Sequence, residues 1–176
     1  MRIRTAAITS LVALAFALTA TIGAAPARAD QASVGSRAAE FDKAAKTGKG
    51  KTFKLRAMRG KWVAVTFGGS WCKPCRKELP AWDKLAKQVK GKITFVAVNL
   101  DNDPADGKKF MAGLKIRNLL VVYSPEDKTD TASHYDPDTF PSTFIVDPKG
   151  IIRYVHSGYV SGDADKLRAE IDKLTK

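Results

Sequence analysis

Residues 62 to 67, Trp-Val-Ala-Val-Thr-Phe, form a continuous apolar run. Such a run has the look of a strand buried on both faces, so its sheet must be covered on each side. Gly68-Gly69-Ser70 breaks it, and a helical pattern follows from Cys72 to Lys90, with Leu79, Trp82, Leu85, Ala86 and Val89 as its apolar stripe. Pro80 lies inside that pattern and should kink the helix, and Gly91 stops it. Ile93 to Leu100 reads as a second buried strand, and Asp103-Pro104 as an N-cap and first helical residue for a helix carrying Phe110, Met111 and Leu114. Leu119 to Tyr123 is a third strand, and Lys128 to Tyr135 a short helix. Ser142 to Val146 and Ile151 to His156 form an antiparallel hairpin around Asp147-Pro148-Lys149-Gly150, which suits a type I turn. A last helix, Asp163 to Lys176, turns Leu167, Ile171 and Leu174 inward. This order predicts an α/β chain: a three-layer α/β/α sandwich whose mixed sheet is parallel in the middle and ends in a C-terminal β-hairpin plus helix.

The N-terminus reads differently. Arg2 and Arg4 precede an uncharged stretch from Thr5 to Ala27, and Ala27-Arg28-Ala29 offers small residues where a signal peptidase cuts. Residues 1 to 29 are therefore expected to be a signal peptide cleaved after Ala29, which places the chain in the periplasm. The alternative is an uncleaved anchor, residues 5 to 27, holding the domain to the membrane on the periplasmic side. No cysteine lies near the cleavage site, which excludes a lipoprotein. Residues 30 to 50 read as a polar lead-in with one helical turn around Glu40 to Lys46, and residues 51 to 176 as the folded domain. Cleavage would remove Arg2, Arg4 and Arg28 and no acid, so the net charge of +12 would fall by three to +9. From Lys43 to Lys61 there are eight Lys or Arg and no acid, a stretch that reads first as a solvated face. No aromatic-interleaved basic motif or zinc-finger spacing points to nucleic acid.

Both cysteines lie in Trp71-Cys72-Lys73-Pro74-Cys75. A pair closing so short a loop removes little chain entropy, so its use is chemical rather than structural. At the start of a helix, unpaired N–H groups and the helix dipole stabilise a thiolate. Cys72 sits at that end, and Cys75, one turn deeper, is placed to form a disulfide back to it. Pro74 fits the first turn, and Lys73 and Arg76 add positive charge. The chemistry that follows is thiol–disulfide exchange: Cys72 attacks a substrate disulfide, and Cys75 resolves the mixed disulfide. A zinc site would need more ligands than His134 and His156 supply, and a haem attachment site would need His where Arg76 stands. The peroxiredoxin pattern wants Thr or Ser three residues before its cysteine and Pro seven before, where this chain has Gly69 and Val65. No metal and no cofactor are expected.

Thr66 to Pro80, "TFGGSWCKPCRKELP", and Thr139 to Tyr154, "TFPSTFIVDPKGIIRY", resemble the TlpA/ResA-like branch of the thioredoxin superfamily over roughly residues 51 to 176. The resemblance implies a thioredoxin fold, a redox-active Cys72–Cys75 pair and a cis peptide before Pro141. It implies that the backbone of Phe140 pairs with substrate as an added strand. Trp71, Lys73, Pro74, Phe140 and Pro141 are thereby expected at the substrate surface. Thioredoxin proper has a buried Asp six residues before the first cysteine, where this chain has Thr66. The ResA-like branch has a glutamate three after the second, which Glu78 matches, so Glu78 is expected to take the proton of Cys75. The other reading of Glu78 is an exposed helix residue. Gly68-Gly69 replaces the family's common Trp-Ala, which suggests a more open floor beside the site.

The function expected is an exported reductant of disulfide-containing proteins, with apocytochromes before haem attachment among its candidate substrates. A membrane thiol transporter would supply its electrons, and the chain would act as a monomer. The alternatives are a disulfide-forming oxidant of the same fold, or a basic binding module with incidental thiols. Only 65 residues separate Cys75 from Pro141, too few for the helical domain the oxidant branch inserts there.

Overall fold

The computed structural model describes residues 32–176. The expected signal peptide, residues 1 to 29, and its alternative as an anchor lie outside the described residues. The described chain forms β1 (Lys46–Thr47), β2 (Trp62–Gly68), α1 (Cys75–Gln88), β3 (Ile93–Asn99), α2 (Pro104–Gly113), β4 (Leu120–Tyr123), α3 (Thr131–Tyr135), β5 (Ser142–Val146), β6 (Ile152–Ser157) and α4 (Asp163–Leu174). The strands make one sheet in the order β1-β4-β3-β2-β5-β6. β2, β3 and β4 run parallel, while β5, β6 and the short β1 run antiparallel to their neighbours. This is the mixed thioredoxin-like sheet, and the apolar run 62 to 67 occupies a central strand.

Alternation along the strands sends side chains to two cores. Ala64, Phe95 and Ile145 face Trp82 and Leu85 of α1, Val89 at its C-cap, and Leu167 and Ile171 of α4. Val63, Val65, Phe67, Val96, Val98 and Phe144 face the other way. Asp103 caps α2 by accepting from Ala105 N at 2.7 Å, with Pro104 in the first turn. Gly150 N closes on Asp147 O at 2.8 Å in the β5–β6 turn. Asp136 ends α3 in the left-handed region.

The second core corrects the expectation for residues 30 to 50. The helical turn around Glu40 to Lys46 is absent, and Ala38, Phe41 and Ala45, with Phe53 and Leu55, are buried against the sheet instead. Two acids, Glu40 and Asp42, explain the path. Glu40 accepts backbone N–H bonds from Leu55 and Arg56, and Asp42 from Asp130 N and Thr131 Oγ1. Each carboxylate thus ties the chain to a distant segment instead of supporting a local helix. Phe41 meets Phe53 edge-on at 4.8 Å, and Phe67, Tyr135 and Phe144 continue the cluster. Phe41→Ala should therefore destabilise the domain by about 3–5 kcal/mol, the range for emptying a buried aromatic site. A urea midpoint within error of the parent would show that this segment adds nothing to the core.

The basic stretch that begins at Lys43 lies largely on the surface. Lys46 donates to Thr52 Oγ1, and Arg56 sits 3.8 Å from Glu40. As an exposed pair the latter contributes little.

Candidate active site

The turn after β2 carries the cysteines. Helix α1 opens at Cys75, not at Cys72 as expected, and Pro74 is its N-cap residue. The reason is local. Cys72 N donates to Gly69 O at 3.1 Å, which holds Cys72 in the turn, and Cys75 N donates to Cys72 Sγ at 3.3 Å. The first sulfur thus receives a free N–H of the helix start, as a capping oxygen would. Cys72 and Cys75 are joined as a disulfide, with Cα atoms 5.3 Å apart. Both are buried, at 4% and 1% exposure.

Gly68 and Gly69 do not leave an open floor. A Cβ at Gly68 would run into Cys75 Sγ, and one at Gly69 would stand 2.7 Å from Trp71 Cε2 and 3.1 Å from Asp101 Oδ1. The sulfur and the indole fill the space that side chains at 68 and 69 would take. Gly68→Ala is therefore expected to displace the disulfide and destabilise the oxidised protein by about 1–3 kcal/mol, as overpacking does. Unchanged thermal unfolding of the oxidised variant would contradict this packing.

On the opposite wall, Phe67 of β2 pairs with Ser142 of β5, so Pro141 follows just beyond the ladder on the Gly68 side. The Phe140–Pro141 peptide is cis. Trp71, 50% exposed, meets the half-buried Phe140 edge-on at 5.1 Å. Trp71, Phe140 and Pro141 thus come together beside the cysteines. Lys73 and Pro74 are exposed on the turn. Arg76 does not act as a cation held on the sulfurs: its Nη2 donates to Ser70 O at 2.9 Å, and its guanidinium lies 5.0 Å over the Phe110 ring.

Glu78 lies on the inner side of α1, 1% exposed, which sets aside the solvent-exposed reading. Thr66 Oγ1 donates to its Oε2 at 2.9 Å and Thr143 Oγ1 to its Oε1 at 3.1 Å. Trp82 Nε1 in turn donates to Thr143 Oγ1 at 3.0 Å. Because an indole N–H can only donate, Thr143 is free to direct its own hydrogen to Oε1, as Thr66 directs its hydrogen to Oε2. Burial pushes the Glu78 carboxyl up to about 8, against the lowering effect of the hydroxyl bonds. Thr66, which stands six residues before Cys72, is therefore the partner of the glutamate.

Thr143, Trp82, Ser70 and Asp101 were not singled out from sequence. Trp82 was legible only as core, and the others sit in unremarkable local contexts. His156 Nε2 lies 3.2 Å from Asp163 Oδ2, and His134 stands exposed beside Arg37, Arg56 and Arg59.

Comparison with known proteins matches residues 34–155 to the AhpC/TSA family. The thioredoxin-like protein YneN of Bacillus subtilis (strain 168) is 32% identical over 127 residues, 72% of this chain and 74% of that protein. The thiol-disulfide oxidoreductase ResA of the same organism is 31% identical over 110 residues, 62% of this chain and 60% of its own length. Among solved structures, a putative thiol:disulfide interchange protein DsbE from Chlorobium tepidum superposes with a TM-score of 0.73 at 29% identity, over 82% of this chain and 99% of that one.

Proposed function

This chain belongs to the AhpC/TSA family and is a thiol–disulfide oxidoreductase of thioredoxin fold, and from that premise we propose that it is an exported reductant of disulfides in extracytoplasmic proteins. The observation that carries the chemistry is the buried Cys72–Cys75 disulfide beside Phe140–Pro141, with the Glu78 carboxyl one helical turn beyond Cys75. The departures of Gly69 and Val65 from the peroxiredoxin pattern favour disulfide exchange over peroxide reduction within the family.

In the proposed cycle the reduced protein presents Cys72 as thiolate. Its sulfur attacks one sulfur of the substrate disulfide, the substrate S–S bond breaks, and one substrate thiolate leaves. In the fraction of molecules whose Glu78 is ionised, Cys75 passes its proton to that carboxylate and attacks Cys72 Sγ, the mixed disulfide breaks, and the second substrate thiolate leaves. The substrate gains two electrons and the protein returns to its disulfide. A Glu78 carboxyl titrating near 8 is matched to an ordinary thiol near 8.5, which suits it to exchanging that proton. The edge at Phe140 and the exposed Trp71 offer the surface on which an extended substrate segment would lie.

The direction rests on charge. A strongly oxidising dithiol needs a strongly stabilised thiolate. Here Cys72 Sγ receives one backbone N–H, Arg76 is drawn onto Ser70 and Phe110, and the nearby buried group is a carboxyl. That favours the reductant. Export follows from the N-terminal sequence, with the periplasm as the compartment. A membrane thiol transporter as electron donor and apocytochromes among the substrates belong to the same reading.

The test is the reduction potential of Cys72–Cys75, equilibrated in thiol buffers and followed by Trp71 fluorescence. A value near about −270 mV supports the reductant, and one near about −120 mV makes the protein an oxidant. A pair that does not cycle reversibly overturns both.

A further inference from the structure

Asp101 lies just beyond the end of β3 and is 5% exposed. Its carboxylate is aimed at the turn that leads into the cysteines. Oδ1 accepts from Ser70 Oγ at 2.7 Å, and both oxygens lie 3.0 Å from Ser70 N. Asn99 Nδ2 donates to Oδ2 at 2.6 Å and orients the group from behind. The third polar atom of Ser70, its carbonyl oxygen, accepts from Arg76 Nη2 at 2.9 Å, and Arg76 is steadied on Phe110 of α2. Ser70 is therefore held by N–H, hydroxyl and carbonyl at once. It precedes Cys72 by two residues, and Cys72 N donates to Gly69 O in the same turn at 3.1 Å. The segment just after β3 thus grips the turn through Asp101, and the helix start grips it through Arg76.

Burying a carboxylate is costly unless donors surround it. Among the described residues its hydrogen-bond donors are the N–H and hydroxyl of one serine and the amide of one asparagine, with no Lys or Arg among them. A surface turn that needed only to be closed would not require such a group. A turn that must hold a sulfur at a fixed place does, because displacement of a reacting atom by about 1 Å can lower a rate on the order of a hundredfold. From this geometry we infer that Asp101 is a positioning residue for the exchange reaction: acting through Ser70, it sets where Cys72 Sγ stands relative to Pro141 and to the incoming disulfide. The inference rests on Cys72 as the attacking thiol.

The experiment uses the full chain, reduced, with a small aromatic disulfide as substrate, so that no protein–protein contact enters the rate. Asp101→Ala should slow exchange about tenfold or more and shift the Cys72–Cys75 potential, with the fold retained by circular dichroism. A rate and a thiol–disulfide exchange equilibrium constant both within twofold of the parent would overturn the inference. Asp101→Asn keeps one oxygen for Ser70 and should recover most of the rate, which a requirement for the charge alone would not allow. Should Asp101→Ala fail to fold, Ser70→Ala, which removes the hydroxyl that Asp101 Oδ1 accepts, carries the test, and a rate within twofold of the parent then overturns the inference. If Asp101→Ala folds and Asp101 acts through Ser70, the loss in the Asp101→Ala/Ser70→Ala double variant is smaller than the product of the single losses. A loss equal to that product overturns the inference. Cys72→Ser in the same assay reports separately on the attacking thiol: activity left in that variant sinks the proposed mechanism, whatever Asp101 does.

Discussion

Cys75→Ser should stop the reaction half-way: the reduced variant attacks a substrate disulfide, cannot resolve the product, and accumulates as a covalent adduct through Cys72. Cys72→Ser should form no adduct and lose exchange on the order of a thousandfold, because a hydroxyl does not supply the anion that attacks sulfur. The asymmetry comes from placement. Cys72 Sγ is the sulfur that receives the N–H of the helix start, while Cys75 is the deeper of the two at 1% exposure, beneath Gly68. Non-reducing mass spectrometry of each variant, incubated with a disulfide peptide, reads this directly. An adduct formed through Cys75 in the Cys72→Ser chain, and none in the reverse, would invert the assignment.

Glu78→Gln should change how stability depends on pH. The carboxyl is raised from 4.5 to about 8 in the folded protein, chiefly because it is buried. Below 4.5 it is protonated in both the folded and the unfolded chain and has no effect. Between 4.5 and 8 the unfolded chain ionises and releases its proton while the folded chain keeps it, so unfolding becomes easier as pH rises. Above 8 the folded chain must ionise as well, and the loss levels off. Over that window wild-type stability should fall by about 3–5 kcal/mol. Gln is neutral throughout, and Thr66 and Thr143 can turn their hydroxyls to its amide. The variant should therefore match the parent at a pH below 4.5 and exceed it above 8. A stability difference independent of pH would mean that Glu78 is not the buried acid described here. In activity, Cys72 attack should persist, the resolving step should slow, and the inflection near 8 should vanish from the pH–rate profile.

The two cysteines and their setting were legible because they depend on adjacent residues: an apolar run, a glycine break, a helical stripe and a C-x-x-C at the junction. The mixed sheet was legible for the same reason, since Asp147 to Gly150 makes a turn by its own chemistry and the strands before it carry continuous apolar runs. Phe41 was hidden by a misleading local signal. Ala38, Phe41 and Ala45 are spaced as one face of a helix would be, yet Glu40 and Asp42 bond to residues far along the chain and pull the backbone out of helical form. The opening of α1 moved from Cys72 to Cys75 because a sulfur, which no propensity scale counts as a cap, accepts the first N–H.

By itself the sequence determined the fold class and the chemistry of the thiol pair, because each rests on residue types at short, fixed separations, while Glu78 became a candidate only through the resemblance to the ResA-like branch. The tertiary structure alone decided that Glu78 is buried between Thr66 and Thr143, that Asp101 grips Ser70 from the end of the neighbouring strand β3, just past its last residue, and that residues 38 to 55 complete the core. Those pairings span 12, 65 and 31 residues of chain for Thr66, Thr143 and Ser70 respectively. A contact across such a distance is set by which strands lie side by side, and a desolvated carboxyl owes its acidity to everything packed around it rather than to its neighbours in sequence.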